Sequence, residues 1–161
     1  MKVLIVYDSF FGNTLKVGEM FQKEFLTRNH EVELVHVAKA DLATFDNHDL
    51  FLIGSPTRGF RASQPIKLLL TDKEISFTSK PLFLFDTRID PIDIRSKLLR
   101  KMIGTFGFAI DHMLKLLGKR KAGTIIGAKG YPVITSEGPL KPEVGYQVEM
   151  DVDDICRQLT T

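Results

Sequence analysis

Residues 3–7 read Val-Leu-Ile-Val-Tyr, apolar at every position. A strand with one face in water alternates apolar with polar. A strand that is apolar throughout is covered on both faces, as in a parallel sheet with helices on each side. The same signature returns within residues 49–54 (Leu50 to Ile53), 81–86 (Leu82 to Phe85) and, more weakly, 122–128 (Thr124 to Gly127). Residues 31–37 alternate instead, with Val32, Leu34 and Val35 apolar, and predict a more exposed strand. Between these runs lie amphipathic segments. Residues 13–28 place Val17, Met20, Phe21, Phe25 and Leu26 at helical spacing. Residues 64–70 predict a short helix, and 148–159 a closing one. Residues 93–118 are helical in pattern but broken near Gly104 and Gly107. The order is βαβαβαβαβα with right-handed crossovers expected, an α/β, open, doubly wound parallel sheet of five strands. With 161 residues, a single domain over 1–161 is expected. The Gly/Pro-rich stretch 127–145 lies too near the end to separate two.

The remaining composition narrows the function. Lys and Arg number 22 against 20 Asp and Glu, a net +2, too small an excess for a general nucleic-acid binder. The lone cysteine, Cys156, allows no internal disulfide and no cysteine-pair metal motif. No apolar run approaches the roughly 18 residues that a membrane span needs. A cytoplasmic location without nucleic-acid or membrane partners is the expectation.

In a doubly wound sheet the ligand sits beyond the carboxyl ends of the strands. The first such loop is Ser9-Phe10-Phe11-Gly12-Asn13-Thr14, between strand one and helix one. A helix N-terminus offers unpaired N–H groups and a partial positive charge. Ser9, Asn13 and Thr14 add side-chain hydrogen-bonding groups, and Gly12 permits a positive φ. The combination suits a phosphate monoester without a lysine or arginine. The same residues also suit a capped helix after a tight turn. Asp8 beside the loop is an electrostatic penalty for an anion. No Gly-Lys-Thr/Ser follows and no Gly-x-Gly-x-x-Gly is present, which excludes a Walker loop and disfavours a dinucleotide.

Tyr7-Asp8-Ser9-Phe10-Phe11-Gly12-Asn13-Thr14 resembles the flavodoxin phosphate loop, Ser/Thr-x-x-Gly-x-Thr after strand one. The resemblance implies a flavodoxin-like sheet in strand order 2-1-3-4-5, with flavin mononucleotide (FMN) bound at the switch point. Gly54-Ser55-Pro56-Thr57-Arg58-Gly59-Phe60 is similar to the Gly-x-Pro-Thr stretch that lies beside the isoalloxazine ring in flavodoxins and flavodoxin-like quinone reductases. Pro56 stiffens the approach, and Gly59 lets a peptide reorient at low steric cost. Phe60 is a candidate for stacking on the ring or for ordinary packing. After strand four the likeness fades: Asp86-Thr87-Arg88-Ile89-Asp90-Pro91 lacks the usual Gly-Asp and aromatic pattern, and the chain has no Trp. Backbone groups of Thr87 and Arg88 remain candidates for the flavin edge, against a helix-initiating turn capped by Asp86 or Thr87. Phe106 and Phe108 are candidates for a hydrophobic cover or for core packing. Ser136-Glu137-Gly138-Pro139-Leu140 is similar to a segment of certain short flavodoxin-domain proteins and predicts a turn folding back over the sheet.

Typical flavodoxins are strongly acidic. This chain is not, and Arg58, Arg61 and Arg88 fall on the two loops expected around the ring. A cation several ångströms from the flavin contributes on the order of 1 kcal/mol near a surface. A less negative potential for the last electron is therefore expected; an anion-receiving role and plain surface arginines are the alternatives.

His30, His36, His48 and His112 are scattered without metal spacing. Ser9 and Ser55 lack a histidine partner, so hydrolase chemistry has no support. The run 115–121 reads as the cationic end of a helix. A phospho-acceptor receiver would need an aspartate ending strand three, where Gly54-Ser55 stands. Three functions stay open. They are an FMN redox protein serving a partner protein, an NAD(P)H-dependent FMN reductase of quinones or small acceptors, and a flavodoxin-like module without flavin. The oligomeric state is open.

Overall fold

A computed structural model describes residues 1–77, 80–120 and 123–160. The strands are β1 (Lys2–Tyr7), β2 (Glu31–His36), β3 (Leu50–Pro56), β4 (Leu82–Ile89) and β5 (Ile125–Val133). All pair in parallel, in the order β2-β1-β3-β4-β5. The helices are α1 (Asn13–Thr27), α2 (Leu42–Asp46), α3 (Gln64–Thr71), α4 (Lys97–Phe106), α5 (Ala109–Arg120) and α6 (Val144–Thr160). Short 3-10 turns at Val37–Lys39 and Pro91–Asp93 complete the chain.

The all-apolar runs are explained by a core on each face of the sheet. Leu4, Val6, Phe51, Ile53, Leu82 and Leu84 face Ile66, Leu70, Met113 and Leu117 of α3 and α5. Their neighbours Val3, Ile5, Leu50, Leu52, Phe83 and Phe85 face Phe21, Phe25, Val148 and Val152 of α1 and α6. Each central strand thus has no solvent side, and alternation is lost. Edge strand β2 keeps half-exposed positions, as its alternation predicts.

Residues 93–118 hold two helices separated at Gly107, φ 73°, in line with the break expected near Gly104 and Gly107. Four boundaries differ from expectation. A capping box between Asp41 and Thr44 starts α2, a five-residue helix too short for periodicity to announce. The last helix begins at Val144, four residues early. Strand β5 runs to Val133, so Tyr131 and Pro132 lie within it; Ala122, the expected start, and Lys121 lie outside the described residues. Strand β4 likewise continues to Ile89, placing Thr87 and Arg88 in the sheet, where they pair with Tyr131 and Pro132.

Candidate functional site

The carboxyl ends of β1, β3 and β4 open onto a cleft of about 370 Å³. Ser9, Phe10, Phe11, Asn13 and Thr14 form one wall, and Pro56, Thr57, Arg58 and Gly59 another. Thr87, Arg88 and Ile89 contribute from β4, and Val133, Ser136 and Glu137 from the stretch after β5. Eleven of the thirteen residues singled out in the sequence therefore meet here. Gly12 supports the first wall from behind, at the N-cap of α1.

The first wall is built from backbone. Asp8 N–H donates to Gly54 O at 3.1 Å and ties the loop to β3. Gly12 then takes φ 83°, a conformation costly for any residue with a Cβ, and swings the chain into α1. From Phe10 to Thr14, five successive backbone N–H groups have no hydrogen-bond partner among the described residues. The side chains brace the loop from outside. Thr14 Oγ1 meets Thr87 Oγ1 at 2.9 Å, and Asn13 Nδ2 donates to Glu137 O at 2.9 Å. Asp8 accepts from Ser9 N–H at 2.9 Å and lies 3.3 Å from His36 Nε2, so its carboxylate is engaged at the β2 edge. A cradle of free N–H donors at a helix N-terminus fits a phosphate monoester.

The second wall is a tight turn. Arg58 and Arg61 exchange N–H···O bonds at 3.1 Å each way, with Gly59 at φ 52° and Phe60 at φ 64° between them. Two positive φ angles across a two-residue loop are the type I′ pattern. Phe60 holds this left-handed conformation at a cost of about 1 kcal/mol. Its ring lies against Phe106, with centroids 5.8 Å apart, and is not a wall of the cleft. Of the two readings of Phe60, stacking on a ring or ordinary packing, the structure shows the packing: in this turn the side chain leaves on the α4 side. Arg58 folds the other way, its guanidinium 4.5 Å from the Phe10 ring centroid and 5.7 Å from that of Phe11. This cation–π contact joins the two walls.

The third wall corrects the electrostatics. Strand alternation turns Thr87 toward α1 and Asp86 and Arg88 toward α5. Arg88 pairs with Asp86 through Nε–Oδ1 and Nη2–Oδ2, both at 2.6 Å, and its guanidinium lies 3.9 Å from the Phe108 ring centroid. It therefore brings an ion pair, not a free charge, to the cleft. The fully buried Asp86 also accepts from Ile110 N–H at 3.0 Å. Burial pushes its carboxyl up, outweighing the downward pull of Arg88, the Ile110 N–H and the Thr57 hydroxyl. The Thr87 carbonyl is engaged as well, accepting from Thr57 N–H at 2.9 Å.

The floor that sequence reasoning left without a role is the 133–140 hairpin. Ile134 N–H donates to Pro139 O at 2.9 Å, and Lys141 N–H to Pro132 O at 2.9 Å. Lys141 Nζ then clamps Asp90 at 2.9 Å and Asp93 at 2.7 Å. The hairpin delivers Ser136 and Glu137 to the cleft; the Gly138-Pro139 turn was the only signal for it. Phe106 and Phe108, candidate covers, pack on Phe60 and Arg88 instead. The histidines have ordinary partners: His48 the Thr44 carbonyl, His112 the Ala62 N–H, His30 the Cys156 thiol.

The sheet order is that of the flavodoxin fold. No family model matches the chain, and no curated protein matches it in sequence. Solved structures do. A flavodoxin from the domain Archaea shares 14% identity with full coverage of both chains and a TM-score of 0.70. A cysteine-to-alanine mutant of flavodoxin from Pseudomonas aeruginosa shares 17%, again with full coverage of both, at 0.71. Flavodoxin 1 from Bacillus cereus shares 13% over 98% of each chain, at 0.70.

Proposed function

We propose that the cleft binds FMN, with the phosphate in the 10–14 cradle, and that the protein carries electrons to or from a partner protein. The observation that carries this reading is the run of five unpaired N–H groups at the α1 N-terminus. Flavodoxins among the solved structures of the same fold support it. When bound, FMN supplies reversible redox chemistry; the chain supplies position and electrostatics. The α1 donors and helix dipole hold the phosphate dianion. Pro56, Thr57 and Gly59 offer backbone to the ring's edge, and the Arg58–Phe10 contact shields one side from water. The Asp86–Arg88 pair fixes β4 beneath without adding net charge.

Titration of apoprotein with FMN and with riboflavin tests the reading. Quenching of FMN fluorescence at submicromolar protein, with riboflavin bound at least about a hundredfold more weakly, is expected for a site that reads a dianionic phosphate. Equal affinity for both removes the cradle's role. One observation favours a second reading, hydride transfer from NAD(P)H to a small acceptor. Arg58 is exposed and has no carboxylate partner among the described residues, leaving it free to receive an anionic substrate. Steady oxidation of NADPH by the FMN-loaded protein with a quinone would select that reading.

A further inference from the structure

Helix α4 is amphipathic, yet none of its ten residues is buried. At about 100° per residue, Leu98, Leu99, Met102, Ile103 and Phe106 occupy one continuous arc of about 140°, while Lys97, Arg100 and Lys101 occupy the opposite side. Neither core of the sheet takes up the apolar arc. Leu98 is 69% exposed and Phe106 58%, and Ile92 just before the helix is 84% exposed. The helix is held at its ends. Ser96 Oγ accepts from Leu99 N–H at 3.2 Å, Gly107 N–H closes on Ile103 O at 2.7 Å, and Phe106 leans on Phe60.

Its charge is one-sided. Residues 94–110 hold Arg95, Lys97, Arg100 and Lys101 and no acidic residue, more positive charge than the whole chain's net +2. None of the four cations is in an ion pair among the described residues. The flanking acids are engaged elsewhere, Asp90 and Asp93 by Lys141 and Asp111 by the Phe108 N–H.

We infer that α4 is an in-plane contact for an anionic lipid surface, seating its apolar arc at the headgroup boundary while the four cations meet lipid phosphates. Leu99, Met102 and Ile103 are half-buried, and a partly exposed apolar stripe opposed by Lys and Arg, with low overall hydrophobicity, has the composition of interfacial helices. Charge complementarity selects the anionic surface. A second copy of this chain would present the same cations and no anionic surface for them to meet, so charge complementarity is against it. The contact is reversible, since one short helix is a single weak signal. It places the lipid beside the 58–61 turn through the Phe60–Phe106 contact.

The chain has no Trp, so Leu98→Trp adds a single reporter at an exposed position. Vesicles of phosphatidylcholine, with or without about 30% phosphatidylglycerol, are the probe, in about 50 mM and about 0.5 M salt. The expected result is a blue shift of the introduced indole and co-sedimentation with the anionic vesicles at low salt only. Lys97→Glu/Arg100→Glu/Lys101→Glu, at exposed unpaired positions, should weaken partition at least about tenfold. A circular-dichroism melt confirms that each variant folds. Absence of partition, or partition that the triple variant leaves unchanged, overturns the proposal. So does a blue shift without vesicles accompanied by a dimer mass in sedimentation, which assigns the face to a second copy. Protection of α4 from hydrogen exchange only in complex with a purified protein partner assigns it to a protein. Partition is read without added FMN, so its outcome is separate from that of the flavin titration.

Discussion

Two helix N-termini point toward the same end of the sheet, and they are treated in opposite ways. At α1, the N–H groups from Phe10 to Thr14 are left without partners, and nearby side chains bond to one another or to the 133–140 hairpin. At α5, three successive N–H groups are taken by side chains. Phe108 donates to Asp111 at 2.7 Å, Ala109 to the Thr57 hydroxyl at 3.0 Å, and Ile110 to Asp86 at 3.0 Å. Both helices carry the same dipole, so the dipole alone does not make an anion site. The site lies where the chain leaves its own donors unsatisfied, and α5 shows the stable alternative, an N-terminus capped by side chains, the buried Asp86 among them.

The sealed end should be the costlier one to disturb. Asp86→Ala strands Arg88 and the Ile110 N–H together, and a loss of about 3–5 kcal/mol in urea unfolding is expected. A loss under 1 kcal/mol would mean that water replaces the carboxylate and that the seal is not structural. Thr57→Val removes the acceptor for Ala109 and the hydroxyl that bonds Asp86, and should cost about 1–2 kcal/mol. Its effect should be less than additive with Asp86→Ala, because the two cap one helix.

Ser9→Asp tests the contrast from the other end by giving α1 a carboxylate of its own. Stability should rise by up to about 1 kcal/mol through the dipole and the free donors, while FMN affinity falls at least about tenfold. Both quantities moving in the same direction would break the comparison. The charges on the two walls sharpen it further. Arg58→Gln should lower the final reduction potential of bound flavin by up to about 40 mV, the equivalent of about 1 kcal/mol for one electron. Arg88→Gln should shift the potential less than its destabilisation suggests, since Asp86 already neutralises the guanidinium. Redox titration of the two FMN-loaded variants checks the order.

The smallest effect belongs to the hairpin clamp. Lys141, and next the Ile92 N–H, hold the half-exposed Asp90 carboxyl below its usual value of about 3.8. A depressed carboxylate contributes above its unfolded pKa and loses that contribution as pH falls through the folded one. Between neutral pH and about pH 5 the clamp should be constant, and below about pH 4 it should weaken. Urea-unfolding stability followed from pH 7 to 3 should show a shallow acid decline attributable to the clamp, smaller in Lys141→Ala.

The sequence by itself determined the sheet, because burial on both faces leaves no other explanation for Val3 to Tyr7, Leu50 to Ile53 and Leu82 to Phe85. It also determined where the first loop of the cleft lies, since Gly12 and the Ser9–Thr14 residues act through backbone within a few positions of one another. The roles of Phe60, Arg88 and the 133–140 hairpin were decided only in three dimensions. Phe60 was free to stack until the left-handed turn at Gly59 sent its ring to Phe106. Arg88 read as a free cation until strand extension put it two residues from Asp86 on one face of β4, where alternation brings their side chains together. Glu137 reaches Asn13 across 124 residues of chain. Local patterns report burial and backbone conformation, which neighbours in sequence set; pairing of charges and closure of a cleft depend on residues that only the packed sheet brings within hydrogen-bonding distance.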